Sequence, residues 1–183
     1  DLQFQNLAQN LLRPYQKRAP TETTQFLRWF LENIFRLEAQ DADDACVDKK
    51  QDKGVDGILV NDVLEVVYII QSKVRQKDGS KLGDTDLKEF AGTLKQFSSA
   101  DTVQALLDGQ ANAELKAAIV RAQVKEKIAA GYTVEGVFCC NAELNDDGKD
   151  YINAAGEITV YDAIKIASEF VDLDASVGIK EVF

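Results

Sequence analysis

Residues 54–73 read GVDGILVNDVLEVVYIIQSK, and the fold turns on them. Gly54 to Val60 is a short apolar run with Asp56-Gly57 near its start, which reads as a strand. Asn61-Asp62 is a turn signal. Leu64 to Ile70 is rich in Val, Ile and Tyr, a strand composition. It alternates little, so it is expected to be covered on both faces and central in its sheet. Gln71-Ser72-Lys73 continues it, and the two runs make a β-hairpin. In an antiparallel pair the start of one strand lies beside the end of the other. The pattern therefore gathers Asp56, Gln71 and Lys73 at one sheet edge. Gln71 and Lys73 are two apart and share a face, whereas Ser72 points away.

Working outward, Pro20 opens a helix that Thr21 or Thr23 caps, with Phe26, Trp29, Phe30, Ile34 and Leu37 as its apolar stripe. Leu2 to Arg13 reads as a shorter helix ending before Pro14. Ala39 to Gly54 is polar and acidic, a loop with a short strand at Ala45 to Val47. After the hairpin, Lys77 to Ser80 is a turn, and helices are predicted over Asp84 to Phe97, Asp101 to Leu107 and Ala113 to Ala130. Gly131 stops the last of these as its C-cap. Tyr132 to Asn141 is an apolar strand, Asn145 to Gly148 a loop, and Ile158 to Tyr161 a short strand. Asp162 then caps a helix over Ala163 to Phe170. The order predicts a mixed α/β layered fold, with helices on both sides of a central sheet.

Length and composition suit one domain. We divide it into an N-terminal helical appendage, 1–20, and a core, 21–183. Apolar residues make up 45% of the 183, enough for a sizeable core. No apolar run is long enough for a transmembrane helix. The chain contains no Met, so a trimmed chain or a domain excised from a longer protein is expected. Cys46, Cys139 and Cys140 are a poor disulfide framework. A reduced, cytoplasmic protein is the simple reading, with Cys139 and Cys140 as small core residues. The absence of His excludes a Cys/His zinc site and a His-based triad, so Ser72 has no base to make it a nucleophile. No Gly-rich phosphate loop and no EF-hand spacing occurs.

The chemistry of the hairpin edge suits phosphodiester hydrolysis. Asp56 offers carboxylate oxygens to Mg²⁺, which keeps several waters. Gln71 offers an amide oxygen to the metal or its waters. Lys73 can hold the scissile phosphate or orient the attacking water. Glu32, on the preceding helix, is the acid best placed to complete the shell, and Asp52 is a secondary candidate. A net charge of −10 argues against a nucleic-acid partner. The distribution is uneven, however. Lys73, Arg75, Lys77 and Lys81 cluster within nine positions, and Arg13, Lys17, Arg18, Arg28 and Arg36 precede them. A local basic strip can bind phosphate while the far face stays acidic.

A helix, then D-G at a strand start, then an apolar strand ending in Q-x-K resembles the PD-(D/E)XK nuclease superfamily, in its Mrr-like branch. More narrowly, FLRWFLENIF, DKGVDGILV and VYIIQSKV resemble the N-terminal domain of the AIPR (abortive infection phage resistance) family, over residues 24 to 75. The resemblance implies a restriction-endonuclease-like three-layer core of order α-β-β-β-α-β, here with extra helices. It also implies a Mg²⁺- or Mn²⁺-dependent endonuclease in bacterial anti-phage defence, with DNA favoured over RNA. Asp56, Gln71 and Glu32 would hold the metal, Lys73 would be the motif lysine, and Lys73, Arg75 and Lys77 would bind nucleic acid. A homodimer is the family expectation. Gln71 stands where most of the superfamily has Glu or Asp, which removes one negative charge from the metal site. The alternative is therefore a catalytically inactive module of nuclease fold that binds nucleic acid or a protein partner.

Overall fold

The computed structural model describes residues 2–47 and 54–170. The N-terminal segment is helical but irregular. The turn α1 (Phe4–Asn6) widens into a π-helical stretch, Leu7–Leu11, and ends as a 3-10 turn, Arg13–Tyr15. Helix α2 (Glu22–Asn33) starts at Thr21, whose hydroxyl accepts from the Thr24 amide while Thr24 caps the Thr21 amide in return.

Ala39 to Ala45, expected as loop, forms helix α3 (Ala39–Ala45). Ala42 and Ala45 are buried, and Arg28 donates to Asp43, so packing and an ion pair stabilise a helix that the acidic composition hid. The short strand expected next reduces to one antiparallel bridge, Cys46 with Gly57.

Strands β1 (Gly57–Asn61) and β2 (Val66–Lys73) form the antiparallel hairpin. Asn61 Oδ1 accepts from the amides of Val63 and Leu64, so the side chain itself builds the turn. Leu64, expected in the second strand, lies in that turn and is exposed. Strand β3 (Lys81–Leu82) leads into α4 (Asp84–Leu94), followed by a 3-10 turn, Lys95–Phe97, and α5 (Ala100–Asp108). The single helix expected over Ala113 to Ala130 is two, α6 (Ala113–Arg121) and α7 (Val124–Ala129). Gln123, in the left-handed region at φ 52°, breaks the axis and sends Val124 into the core.

Strand β4 (Thr133–Cys140) is followed by β5 (Glu143–Leu144). The stretch expected as a loop from Asn145 is instead the start of α8 (Asp146–Ala155), with Asn145 as N-cap accepting from the Gly148 amide. Strand β6 (Ile158–Tyr161) and α9 (Ala163–Glu169), capped by Asp162, complete the described chain.

The architecture is mixed α/β around a four-stranded mixed sheet of order β1-β2-β4-β6, with a separate two-stranded pair, β3-β5. Strand β2 is central, antiparallel to β1 and parallel to β4, and β4 runs parallel to β6. Helices pack on both faces. On one face Ile58, Val67, Ile69 and Phe138 meet Leu87, Phe90, Val103, Leu115 and Ile119. On the other, Ile70, Val137 and Cys139 meet Phe26, Leu27, Phe30 and Ile166. This sandwiching explains why β2 reads as an unbroken apolar run. All three cysteines are buried, and none is joined in a disulfide among the described residues. Among the described residues no helix is long and apolar enough to cross a membrane.

Candidate functional site

The hairpin register pairs Gly57 with Ile70, so one step further Asp56 stands across from Gln71. The ladder opens at that step. The Asp56 amide donates to Ile70 O at 2.8 Å, and Asp56 O accepts from the Val47 amide at 2.8 Å. Asp56 Oδ2 accepts from the Ser72 amide, also at 2.8 Å. Strand amides lie in the plane of the sheet, so the carboxylate sits at the mouth of the hairpin, between the two strands.

Gln71 follows Ile69 on the face that carries α4. Its Oε1 is buried and has no hydrogen-bond partner among the described residues. Such an atom ordinarily costs stability, and its presence calls for an explanation. The rest of the amide packs under Gly54, where a Cβ would come within 3.3 Å of Gln71 Nε2 and 3.2 Å of Thr93 Oγ1. Gly54 has φ 78°, so glycine both permits this backbone and lets it cross the amide closely.

Lys73 shares that face. Its ammonium is paired with Asp86, whose second oxygen pairs with the Arg75 guanidinium. Asp86 lies in the first turn of α4, where the helix dipole favours an anion. Neither Asp86 nor Asn141 is among the site residues that the sequence singles out. The acidic opening Asp84-Thr85-Asp86 after Gly83 was the available signal for the first. Asn141, just past β4, is buried. It accepts from the Arg75 amide at 2.6 Å and donates to Arg75 O at 3.0 Å and Leu2 O at 3.2 Å. It thereby fixes the backbone beyond β2. Lys77 is exposed and, with Arg75 and Lys81, borders a cavity of about 360 Å³ beside Asn141.

Glu32 is held elsewhere. The Ser72 hydroxyl donates to Thr23 O at 3.3 Å, so the N-terminal end of α2 lies beside the hairpin mouth. Glu32 comes nine residues later, about 13 Å further along the axis at 1.5 Å per residue. Its carboxylate accepts from Tyr15 Oη at 2.7 Å and pairs with Arg18 at 2.5 Å. The structure thus brings Asp56, Gln71 and Lys73 to one end of the hairpin and leaves Glu32 in a separate network with the N-terminal segment. Asp52 lies outside the described residues.

Ser72 faces α2, and Cys139 lies against it with its thiol pushed well above the usual range by burial. Neither is a nucleophile. Among the described residues no three His, Cys, Asp or Glu side chains converge where they could hold a metal ion. One carboxylate and one buried, unpartnered amide oxygen are nevertheless hard donors. They fit a divalent cation that keeps most of its water. No protein-family model, curated protein or solved structure matches the chain. Fold and site together define an α/β domain with a carboxylate, an amide oxygen and a row of cations at one end of its central hairpin.

Proposed function

We propose that this chain is a metal-dependent endonuclease domain of the restriction-endonuclease-like kind, hydrolysing phosphodiester bonds of nucleic acid, DNA in preference to RNA. The observation that carries the reading is the buried Gln71 Oε1, without a hydrogen-bond partner among the described residues and one step beyond the Gly57–Ile70 pair, where Asp56 enters the hairpin. A cation, or a water bound to one, would supply the missing partner. The element order supports the same reading. Helix α2, the hairpin β1-β2, α4 and β4 come in the order that the resemblance implies, but with α3, β3 and α5 to α7 inserted and a single bridge, Cys46–Gly57, where a first strand is expected.

In this reading Asp56 and Gln71 hold Mg²⁺ or Mn²⁺, which when bound acidifies water and offsets charge on the phosphate. Lys73 holds the scissile phosphate from the same face. Arg75 and Lys77, next along the chain, engage neighbouring phosphates. Asp86 competes with phosphate for Lys73 and Arg75, so binding exchanges one anion for another. The biological setting that goes with the resemblance is anti-phage defence.

Incubation with supercoiled plasmid and with RNA, in Mg²⁺ or Mn²⁺, tests the proposal. Cleavage is expected from the unaltered chain and from neither Asp56→Ala nor Lys73→Ala. Cutting that survives both substitutions rejects this site.

One observation favours a second reading, a non-catalytic module of the same fold that binds nucleic acid or a protein. Among the described residues no three metal-binding side chains converge at the site, and its lysine is already ion-paired. Metal titration separates the two readings. An intact fold that takes up no Mg²⁺ or Mn²⁺ at millimolar concentration selects the non-catalytic one.

A further inference from the structure

Away from the hairpin mouth, the sheet face under α2 is left open beyond the end of that helix. A cavity of about 280 Å³ lies there, lined by Phe35, Leu59, Tyr68, Glu135, Val137 and Tyr161 among others. The Phe35 ring stands at 67° to Tyr68 and 68° to Tyr161, with centroids 5.6 and 5.8 Å apart. Tyr68 and Glu135 are register partners on β2 and β4, so the carboxylate rises next to the Tyr68 ring. Glu135 is exposed and has no hydrogen bond or ion pair among the described residues; burial first, then its charge, push the Tyr68 hydroxyl up, and burial, then Glu169 with Glu135 behind it, do the same to Tyr161.

Aromatic walls at steep angles beside an unpaired carboxylate are the chemistry of a cation site. Ring faces carry negative quadrupole potential and attract a cation within about 6 Å of the centroid. Tyr161 already attracts one. Lys165 Nζ lies 4.3 Å from its centroid, although Lys165 does not line the cavity. A phosphate would be repelled by Glu135, and a neutral apolar group would gain nothing from that solvated carboxylate.

The geometry points to a second binding site, at Phe35, Tyr68, Tyr161 and Glu135, for an organic ammonium group of the alkylated or quaternary kind. It is independent of the nuclease reading and on a different part of the molecule. The carboxylate sets the charge of the ligand and the three rings its apolar coat. A bare metal ion, which needs oxygen donors, is a poor fit to such walls.

Choline is the probe, with 3,3-dimethylbutan-1-ol as its neutral isostere, each titrated against the full chain and followed by proton NMR of the ligand methyl signal. Saturable choline binding is expected, with the isostere bound at least about tenfold more weakly. Glu135→Gln, at an exposed position, is expected to weaken choline about threefold to tenfold and leave the isostere unchanged. Tyr68→Leu is expected to weaken it by about tenfold, with near-UV circular dichroism reporting the fold. Absence of saturable binding, equal binding of the two probes, or a Glu135→Gln chain that binds choline as well as the original overturns the site.

Discussion

The Asp56 carboxylate takes the Ser72 amide at 2.8 Å, where a carbonyl of the opposing strand would otherwise continue the ladder. One side chain thus ends the hairpin and places its charge at the hairpin mouth, against the Ser72 amide. The two roles separate by substitution. Asp56→Ala strands the Ser72 amide and is expected to cost about 1–3 kcal/mol, read by urea unfolding. Asp56→Asn keeps an acceptor oxygen and is expected to cost less. Both should abolish metal-dependent cleavage, because a neutral amide is a far poorer cation ligand. If Asp56→Asn keeps full cleavage, the carboxylate serves the fold alone.

Asp86 neutralises Lys73 and Arg75 together. Asp86→Asn therefore releases two cations toward any phosphate at this edge. Tighter binding to duplex DNA is expected. The dependence of log K on log salt should steepen by about 1 to 2, since each added phosphate contact contributes about 0.9 on B-DNA. Fluorescence anisotropy across a salt series measures both. An unchanged slope would mean that Lys73 and Arg75 do not face nucleic acid.

The hairpin, its interior second strand and the position of Asp56, Gln71 and Lys73 at one end of it were legible because strand periodicity and antiparallel pairing act locally. Helix α3 was not, because it depends on Arg28 and Arg18 reaching Asp43 from elements distant in sequence. Helix α8 is hidden because Asn145-Asp146-Asp147-Gly148 has the composition of a loop, although the same residues make an N-cap and an acidic first turn. The break at Gln123 carries no composition signal. Gly136 shows the same limit of local reading. It sits inside β4, where a Cβ would run into the Leu94 side chain, a contact that only the fold creates. The placement of Glu32 likewise depended on where along α2 the sheet end falls. Helical spacing gives the face of a residue but not its height against a neighbouring strand.

The Glu32 network has its own pH signature. Tyr15 is buried, donates to Glu32 and accepts from Asn33 Nδ2 at 3.2 Å. Burial first, then the bond to the Glu32 carboxylate, push its hydroxyl up to about 12. A folded value above the unfolded one near 10 means that the unfolded chain releases this proton first. Stability from Tyr15 is complete below about pH 10 and declines as pH rises toward 12, by about 2 to 3 kcal/mol in all. Tyr15→Phe should remove this component, so that the stability difference between the two chains narrows from pH 9 to pH 12. A constant difference over that range would show that the hydroxyl is not held as described.

Asn141 offers the sharpest test of how the basic strip is held. Its amide oxygen takes the Arg75 amide, and its Nδ2 serves two carbonyls, those of Arg75 and Leu2. Asn141→Ala removes all three bonds at a buried position and is expected to cost about 2 to 4 kcal/mol. Asn141→Asp keeps the shape but turns a carboxylate oxygen toward two carbonyl oxygens, which disfavours the charged form. The introduced carboxyl therefore has a raised value in the folded state and a normal one, near 3.9, in the unfolded state. Its penalty is smallest below that value, where the protonated oxygen can donate as Nδ2 did. It grows as pH rises, because the unfolded chain ionises first. Urea unfolding of both variants beside the original chain at pH 4 and pH 7 should show a larger deficit for Asn141→Asp at the higher pH and a nearly constant one for Asn141→Ala. Equal pH dependence in the two variants would mean that Nδ2 does not face the carbonyls, and that the Arg75 backbone is held by something else.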